Sequence, residues 1–388
     1  MLADSRDELQ KSMTIATEWG KKWKATFNKK KSQVVVFGSN KNTGGGWSLG
    51  GGDIDEKKWY KYLGLDIIGN NNWRKYKSRI LEKARKRMNQ TWAMGIKSGV
   101  LSVDAAKKIW MTLVRPILEY GAEVWGGEKW EEAEKLQREM GKRILGLKVS
   151  TNNEVVLGEL GWWKMKARRD MIRLRYWRKL VNMGKERLPR IAYEGELRTG
   201  GENWASHIEK LLRELELEEH WEKQEVEESE SKWNAMLKTK LQKREERKWR
   251  KKVESMDKLR TYRTIKTKLK SEEYLKIDNE EGRKKIGRIR SGTNDFRIET
   301  GRHEGLDREA RKCWFGCDEV EDEEHFLMKC KMYDDLRSDS IESIGTEIFQ
   351  KRGREIMMGK GSEEELKQAF KYIKRASARR RRILSYKQ

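Results

Sequence analysis

Proline occurs only twice in the 388 residues, at 116 and 189, so almost nothing in the chain forbids long helices. Cysteine occurs three times, which excludes a disulfide framework. Apolar residues make up 36% of the chain against 39% charged, so any core must be lean or the folded parts joined by solvated helices. No apolar run approaches a bilayer span and no secretory leader pattern opens the chain, which reads as soluble, intracellular and without a membrane partner. What is present in excess is positive charge, +25 net, together with 17 Trp that each bury a large area. A field of that sign recruits polyanions, of which nucleic acid is the commonest.

Ser5-Arg6-Asp7-Glu8 reads as a capping box that opens a helix whose apolar face runs Leu9, Met13, Ala16, Trp19, Trp23. Val34-Val35-Val36-Phe37 follows as a short buried strand, and the turns Gly44-Gly45-Gly46 and Gly50-Gly51-Gly52 frame further strands. The last strand expected is within Lys61–Ile68, and from residue 73 the pattern is helical. Trp73, Tyr76, Ile80, Ala84 and Met88 make an apolar stripe, while 74–87 carries eight Lys/Arg against Glu82. The stretch 162–179 repeats that balance, eight Lys/Arg against Asp170, interleaved with Trp162, Trp163, Tyr176 and Trp177. Further along, 205–235 holds ten acidic and four basic residues, and 236–270 four acidic and fifteen basic. That dipolar block predicts one or two long solvated helices with a narrow seam of Ile208, Leu211, Leu212, Leu215 and Trp221, suited to a helical partner. Arg379–Arg382 is a candidate nuclear-import run.

All three cysteines fall between 313 and 330, in the order Cys313, Cys317, His325, Cys330 with spacing C-x3-C-x7-H-x4-C. Thiolates and a neutral imidazole suit tetrahedral zinc, and four protein ligands leave no open position for catalysis. Between Cys317 and His325 lie six carboxylates, Asp318, Glu319, Glu321, Asp322, Glu323 and Glu324. Together with three thiolates they repel phosphate, so the expected role is a local fold staple and not a backbone grip.

Taken in order, six stretches resemble the C-terminal part of a LINE-type (non-LTR) retrotransposon reverse transcriptase. They are Met1–Ser5, Asn28–Phe37, Tyr60–Gly64, Arg115–Trp125, the pair Lys258–Tyr262 with Arg288–Gly292, and the Cys/His cluster. The resemblance implies that Tyr62, Leu63 and Gly64 are similar to a primer-grip hairpin and that Lys31 matches a lysine near the incoming nucleotide. It also places the family's catalytic aspartates before Met1, so no catalytic residue is assigned, and Asp4 falls past that pair at a helix start. On this reading the polypeptide does not polymerise DNA alone.

The expected fold is mainly α, with a small α+β N-terminal remnant, a thumb-like helical region, long charged helices and a C-terminal CCHC zinc knuckle. The expected boundaries are 1–70 for the palm remnant, 71–182 for the thumb-like region, 183–204 for a linker, 205–270 for the charged helices, 271–340 for the distal region with its knuckle, and 341–388 for a basic tail. The expected partners are RNA, DNA or both. Phosphate contacts are expected from Arg74, Lys75, Arg79, Lys83, Arg85 and Lys86 and from Lys164, Lys166, Arg168, Arg169 and Arg173. Two other readings stay open: a polymerase segment active once completed by fingers and palm, and a coiled-coil interaction protein.

Overall fold

The computed structural model describes residues 1–38, 45–70, 72–96 and 101–386, so Gly44 of the first glycine turn lies outside the described residues. The chain divides into two compact units, Met1–Lys83 and the remainder from Ala84 onward. The protein is mainly helical with small N-terminal sheets.

In the first unit, helix α1 (Arg6–Lys22) starts where Ser5 Oγ accepts from the Glu8 N–H at 3.2 Å. Glu8 returns its bond to the Asp4 N–H at 3.1 Å, one residue earlier than a capping box requires. Met13 packs with Val34, Trp47, Leu49 and Ile54, flanked by Leu9 and Ala16. Trp19 and Trp23 remain 57% and 63% exposed, so the apolar face expected to run to Trp23 ends at Ala16. Strand β1 (Gln33–Val34) runs parallel to β3 (Gly52–Glu56), and β2 (Trp47–Leu49) lies antiparallel to β3. The strand expected through Phe37 stops after two residues, with Val34 buried and Phe37 exposed.

Strands β4 (Trp59–Tyr62) and β5 (Leu65–Ile68) form a hairpin in which Tyr62 faces Leu65. Its loop is Leu63-Gly64, with φ of +46° and +86°. Two successive left-handed residues give the twist a two-residue hairpin needs. Helix α2 (Arg74–Thr91) buries Tyr76, Ile80, Ala84 and Met88 of the expected stripe, while Trp73 precedes the helix and is half-buried.

The second unit contains α3 (Glu131–Leu145), α4 (Asn153–Leu160) and α5 (Met165–Val181), among shorter helices. Lys164 precedes α5 and gives it no side-chain cap. Glu134 of α3 supplies one instead, its carboxylate accepting from the Met165 and Lys166 N–H groups at 2.9 and 2.8 Å. Helix α6 (Leu188–Thr199) occupies most of the stretch expected as a linker, with Pro189 in its first turn.

Helices α7 (Trp204–Glu214) and α8 (Glu230–Glu254) follow. Ile208, Leu211, Leu212 and Leu215 pack with Leu174 and Trp177 of α5 and with Trp233, Leu237 and Leu241 of α8. The seam expected to meet a helical partner is therefore covered within the chain. Arg244 of α8 locks the arrangement, pairing with Asp170 at 2.9 Å and Glu214 at 3.0 Å. Among the described residues no helix is long and apolar enough to cross a membrane.

Helices α9 (Glu280–Arg290), α10 (Asp334–Ile344) and α11 (Glu363–Ser385) complete the unit. Arg290 at the end of α9 is fully buried and reaches Glu159 of α4 at 2.9 Å and Glu272 at 3.0 Å. Its remaining donor goes to the Met358 carbonyl at 2.6 Å, and the Tyr274 hydroxyl fills the other Glu159 oxygen at 2.7 Å. Burial opposes the charge on Arg290, but Glu159 and Glu272 outweigh it and raise its pKa. Removing one member of such a pair strands the other in the interior. Arg290→Ala should cost about 3–5 kcal/mol in urea unfolding, and Glu159→Gln in the same chain should recover part of it. Additive losses would show that the two do not act as a pair.

Candidate metal centre and nucleic-acid interface

A short antiparallel bridge between Lys312 and Val320 brings the chain back on itself, with the Cys313 N–H donating to the Glu319 carbonyl at 2.8 Å. Gly316 and Asp318 take left-handed conformations within this turn, φ +78° and +53°, which places Cys317 beside Cys313. A single wide helical turn, His325–Lys329, then carries His325, and the Cys330 N–H closes it on the His325 carbonyl at 2.8 Å. Asp322 caps that turn by accepting from the His325 N–H at 2.9 Å.

The four side chains converge, with their ligand atoms all within 4.8 Å of one another. Cys330 Sγ lies 3.9 Å from Cys313 Sγ and 3.7 Å from Cys317 Sγ. A disulfide needs about 2.05 Å, whereas a tetrahedron with bonds of about 2.3 Å has sulfur edges of about 3.8 Å. His325 Nδ1 sits 3.4 Å from Glu319 Oε2, while Nε2 is buried without a hydrogen-bond partner among the described residues. Glu319 therefore orients the ring, and Nε2 is the nitrogen left to coordinate. Hydrogen bonding from Cys330 pulls the Cys313 thiol down to about 4, and the same contact pushes Cys330 up. The donor set fits a metal ion of thiolate preference.

The carboxylates around His325 are not the freely solvated loop their run suggests. Glu323, 1% exposed on its side chain, takes Arg260 at 3.0 Å, the Thr261 hydroxyl at 2.9 Å and the Asn294 amide at 3.2 Å. Glu321, equally buried, accepts from the Arg297 N–H and from Arg380, both at 2.9 Å. Asp318 pairs with Lys312, and Glu324 lies 3.5 Å from Arg354. The Phe326 ring packs at a tilt against Phe296, centroids 4.5 Å apart, and the Phe326 carbonyl takes the Tyr372 hydroxyl at 2.7 Å. Arg260, Asn294, Arg297, Tyr372 and Arg380 are thus supports of the knuckle that spacing alone does not reveal. Only Arg260 falls within a stretch singled out by resemblance.

The expected phosphate contacts separate into two groups. On α2, Arg74, Lys75, Lys83, Arg85 and Lys86 are exposed. Lys75 sits 3.1 Å over the Trp59 ring, and Arg85 pairs with Glu139 at 3.0 Å. Arg79 braces the hairpin, binding Asp66 at 2.7 Å and the Gly64 carbonyl at 2.6 Å. On α5 the reading needs correction, because Arg169 and Arg173 are 0% and 2% exposed. Arg169 lies 5.8 Å from the rings of both Trp125 and Trp130, and Arg173 lies 6.0 Å from Trp204. Neither reaches a phosphate without opening the core. Lys164 is half-buried, Lys166 pairs with Asp170, and Arg168 lies 3.5 Å from Glu119.

Tyr62 and Leu63 are 54% and 73% exposed at the hairpin tip, with Gly64 completing the turn. Lys31 is exposed at the end of a short helical turn, and its carbonyl takes the Tyr60 hydroxyl at 3.0 Å. In the arginine run of α11, Arg380 is buried and Arg379 pairs with Asp335 at 2.5 Å. Arg381 and Arg382 remain exposed.

With this geometry in hand, the chain is 26% identical over 126 residues to "RNA-directed DNA polymerase from mobile element jockey" of Drosophila funebris. It is 25% identical over 119 residues to the protein of the same description from Drosophila melanogaster. These matches cover 32% and 30% of the chain and span only 14% and 13% of the relatives' own lengths. This is a distant, partial similarity to a non-LTR retrotransposon reverse transcriptase. No family model matches, and no solved structure matches.

Chelation should release the knuckle and the contacts it anchors. Hydrogen exchange is expected to quicken across 311–333 and in the α11 segment around Tyr372, leaving α3 and α5 protected. Uniform deprotection of the whole unit would contradict a local role.

Proposed function

We propose that the chain is a non-catalytic, nucleic-acid-binding part of a non-LTR retrotransposon reverse transcriptase, holding RNA, DNA or their hybrid. The observation that carries this reading is the exposed cation row on α2. Arg74, Lys83 and Lys86 have no side-chain partner among the described residues, although carboxylates are plentiful in this chain. Cations kept free of internal pairing around the solvent side of a helix are available to phosphates. The distant similarity to RNA-directed DNA polymerases supplies the partner class. The hairpin tip at Tyr62, Leu63 and Gly64, braced by Arg79, suits contact with a primer strand.

Within this reading Cys313, Cys317, His325 and Cys330 hold one zinc ion with a structural role. Two supports stand behind that role. All four positions come from protein, and the carboxylates nearby tie the knuckle to α11 and to the residues around 260 and 294. Metal analysis of the purified chain should give one zinc per chain, lost in Cys330→Ser.

The binding test is salt-dependent affinity for RNA and DNA. Arg74→Glu, Lys83→Glu and Lys86→Glu together should weaken binding by roughly a hundredfold or more and flatten the salt slope by about 2–3. Cys313→Ser should cost less affinity. If the wild-type affinity ignores salt, or if the ranking reverses, the reading is wrong.

A further inference from the structure

A cleft of about 810 Å³ opens in the second unit between α3, α9 and the segment around Trp92. A neighbouring one of about 540 Å³ lies between α9 and α11. Lys284 and Arg288 of α9 line both, so the two adjoin along that helix and are together termed the groove. Its described walls carry eleven cations against four carboxylates. Lys135 and Arg288 have no ion pair or side-chain hydrogen bond among the described residues, whereas Lys284 pairs with Glu280, Lys285 with Glu281 and Lys148 with Asp295.

The cations also crowd one another. Burial lowers the Lys142 pKa, and Arg138 lowers it further. Burial lowers that of Lys285, Glu281 offsets part of this, and Arg381 and Arg288 add to the lowering. Charges held together at such a cost are relieved by a bound polyanion.

The floor is of another kind. Leu101, Val103, Leu145 and Leu147 line the larger cleft. Half-buried Trp92 stands beside them, beneath the Arg143 guanidinium at 4.8 Å. A phosphate-only surface has no use for an apolar floor. Cationic walls over an apolar, aromatic bed match a strand whose bases are unpaired and turned inward. A paired duplex keeps its base faces stacked inside, so it cannot lay them on an apolar bed.

We propose that this groove binds single-stranded nucleic acid, with Lys135, Arg143, Lys284, Arg288 and Arg381 on the phosphates and the bases over the floor beside Trp92. The inference rests on the nucleic-acid reading above, yet it concerns residues other than the α2 cation row, whose Arg85 and Asn89 neighbours reach the groove through Glu139 and Arg143. Neither the motifs nor the resemblance singled out Lys135 or Lys284.

The test uses the full chain, a fluorescent poly-U or poly-dT oligonucleotide, and a duplex competitor of equal phosphate count. Lys135→Glu with Arg288→Glu should weaken single-strand binding at least tenfold and lower the salt slope by about 1.4. Lys135→Arg with Arg288→Lys should retain the affinity, and circular dichroism should show both proteins folded like wild type. Unchanged binding by the folded charge-reversed protein overturns the groove while leaving the α2 reading intact. Equal or stronger competition by the duplex overturns the single-strand assignment. No binding by the wild-type chain overturns both.

Discussion

Arg290 is the side chain on which the second unit turns. It is fully buried, yet it joins α4 through Glu159, the 266–276 segment through Glu272, and the chain before α11 through the Met358 carbonyl. A guanidinium offers five donors in a fixed plane, so one residue sets the relative orientation of several elements. Burying that charge is costly, and the arrangement persists because each neighbour is satisfied in turn: Tyr274 completes Glu159, and Lys266 pairs with Glu272. With apolar residues at only 36%, such networks do part of the orienting that shape-matched side chains do in richer cores.

The same logic recurs around the metal centre. Glu321 and Glu323 lie inside the protein and hold Arg380, Arg260 and Asn294. Stretches separated by more than sixty residues thereby converge on a knuckle of eighteen. An ion held there would act beyond its own loop, since the turn carrying His325 also carries Phe326 to Phe296 and Tyr372. A phosphate grip at the knuckle is correspondingly poorly placed, whereas α2 and the groove along α9 leave cations free.

Much of this was legible beforehand. The Cys/His spacing picked out four side chains that do converge, because metal coordination is a local demand for few donor types at short separations. The stripe Tyr76, Ile80, Ala84, Met88 was legible because helical periodicity survives any tertiary context. The cations of 162–179 misled for the opposite reason. Composition counts Arg169 and Arg173 as exposed charge, but Trp125 and Trp130 with nearby carboxylates accompany Arg169 inside, and Trp204 with Asp170 accompanies Arg173. The apolar seam of the acidic-basic block at 205–270 packs on α5 and α8 of the same chain, which its composition does not reveal.

By itself the sequence determined the helical character, the short hairpins, the Cys/His cluster and the sign of the electrostatic field. Each follows from local periodicity, turn chemistry, donor identity or summed charge. Only the tertiary structure decided which cations are spent inside and which face outward, because pairing depends on carboxylates far away in the chain. Glu134 capping α5, Glu321 holding Arg380 and Glu159 holding Arg290 are contacts of that kind. The bookkeeping of charge in this protein is settled by contact and not by composition.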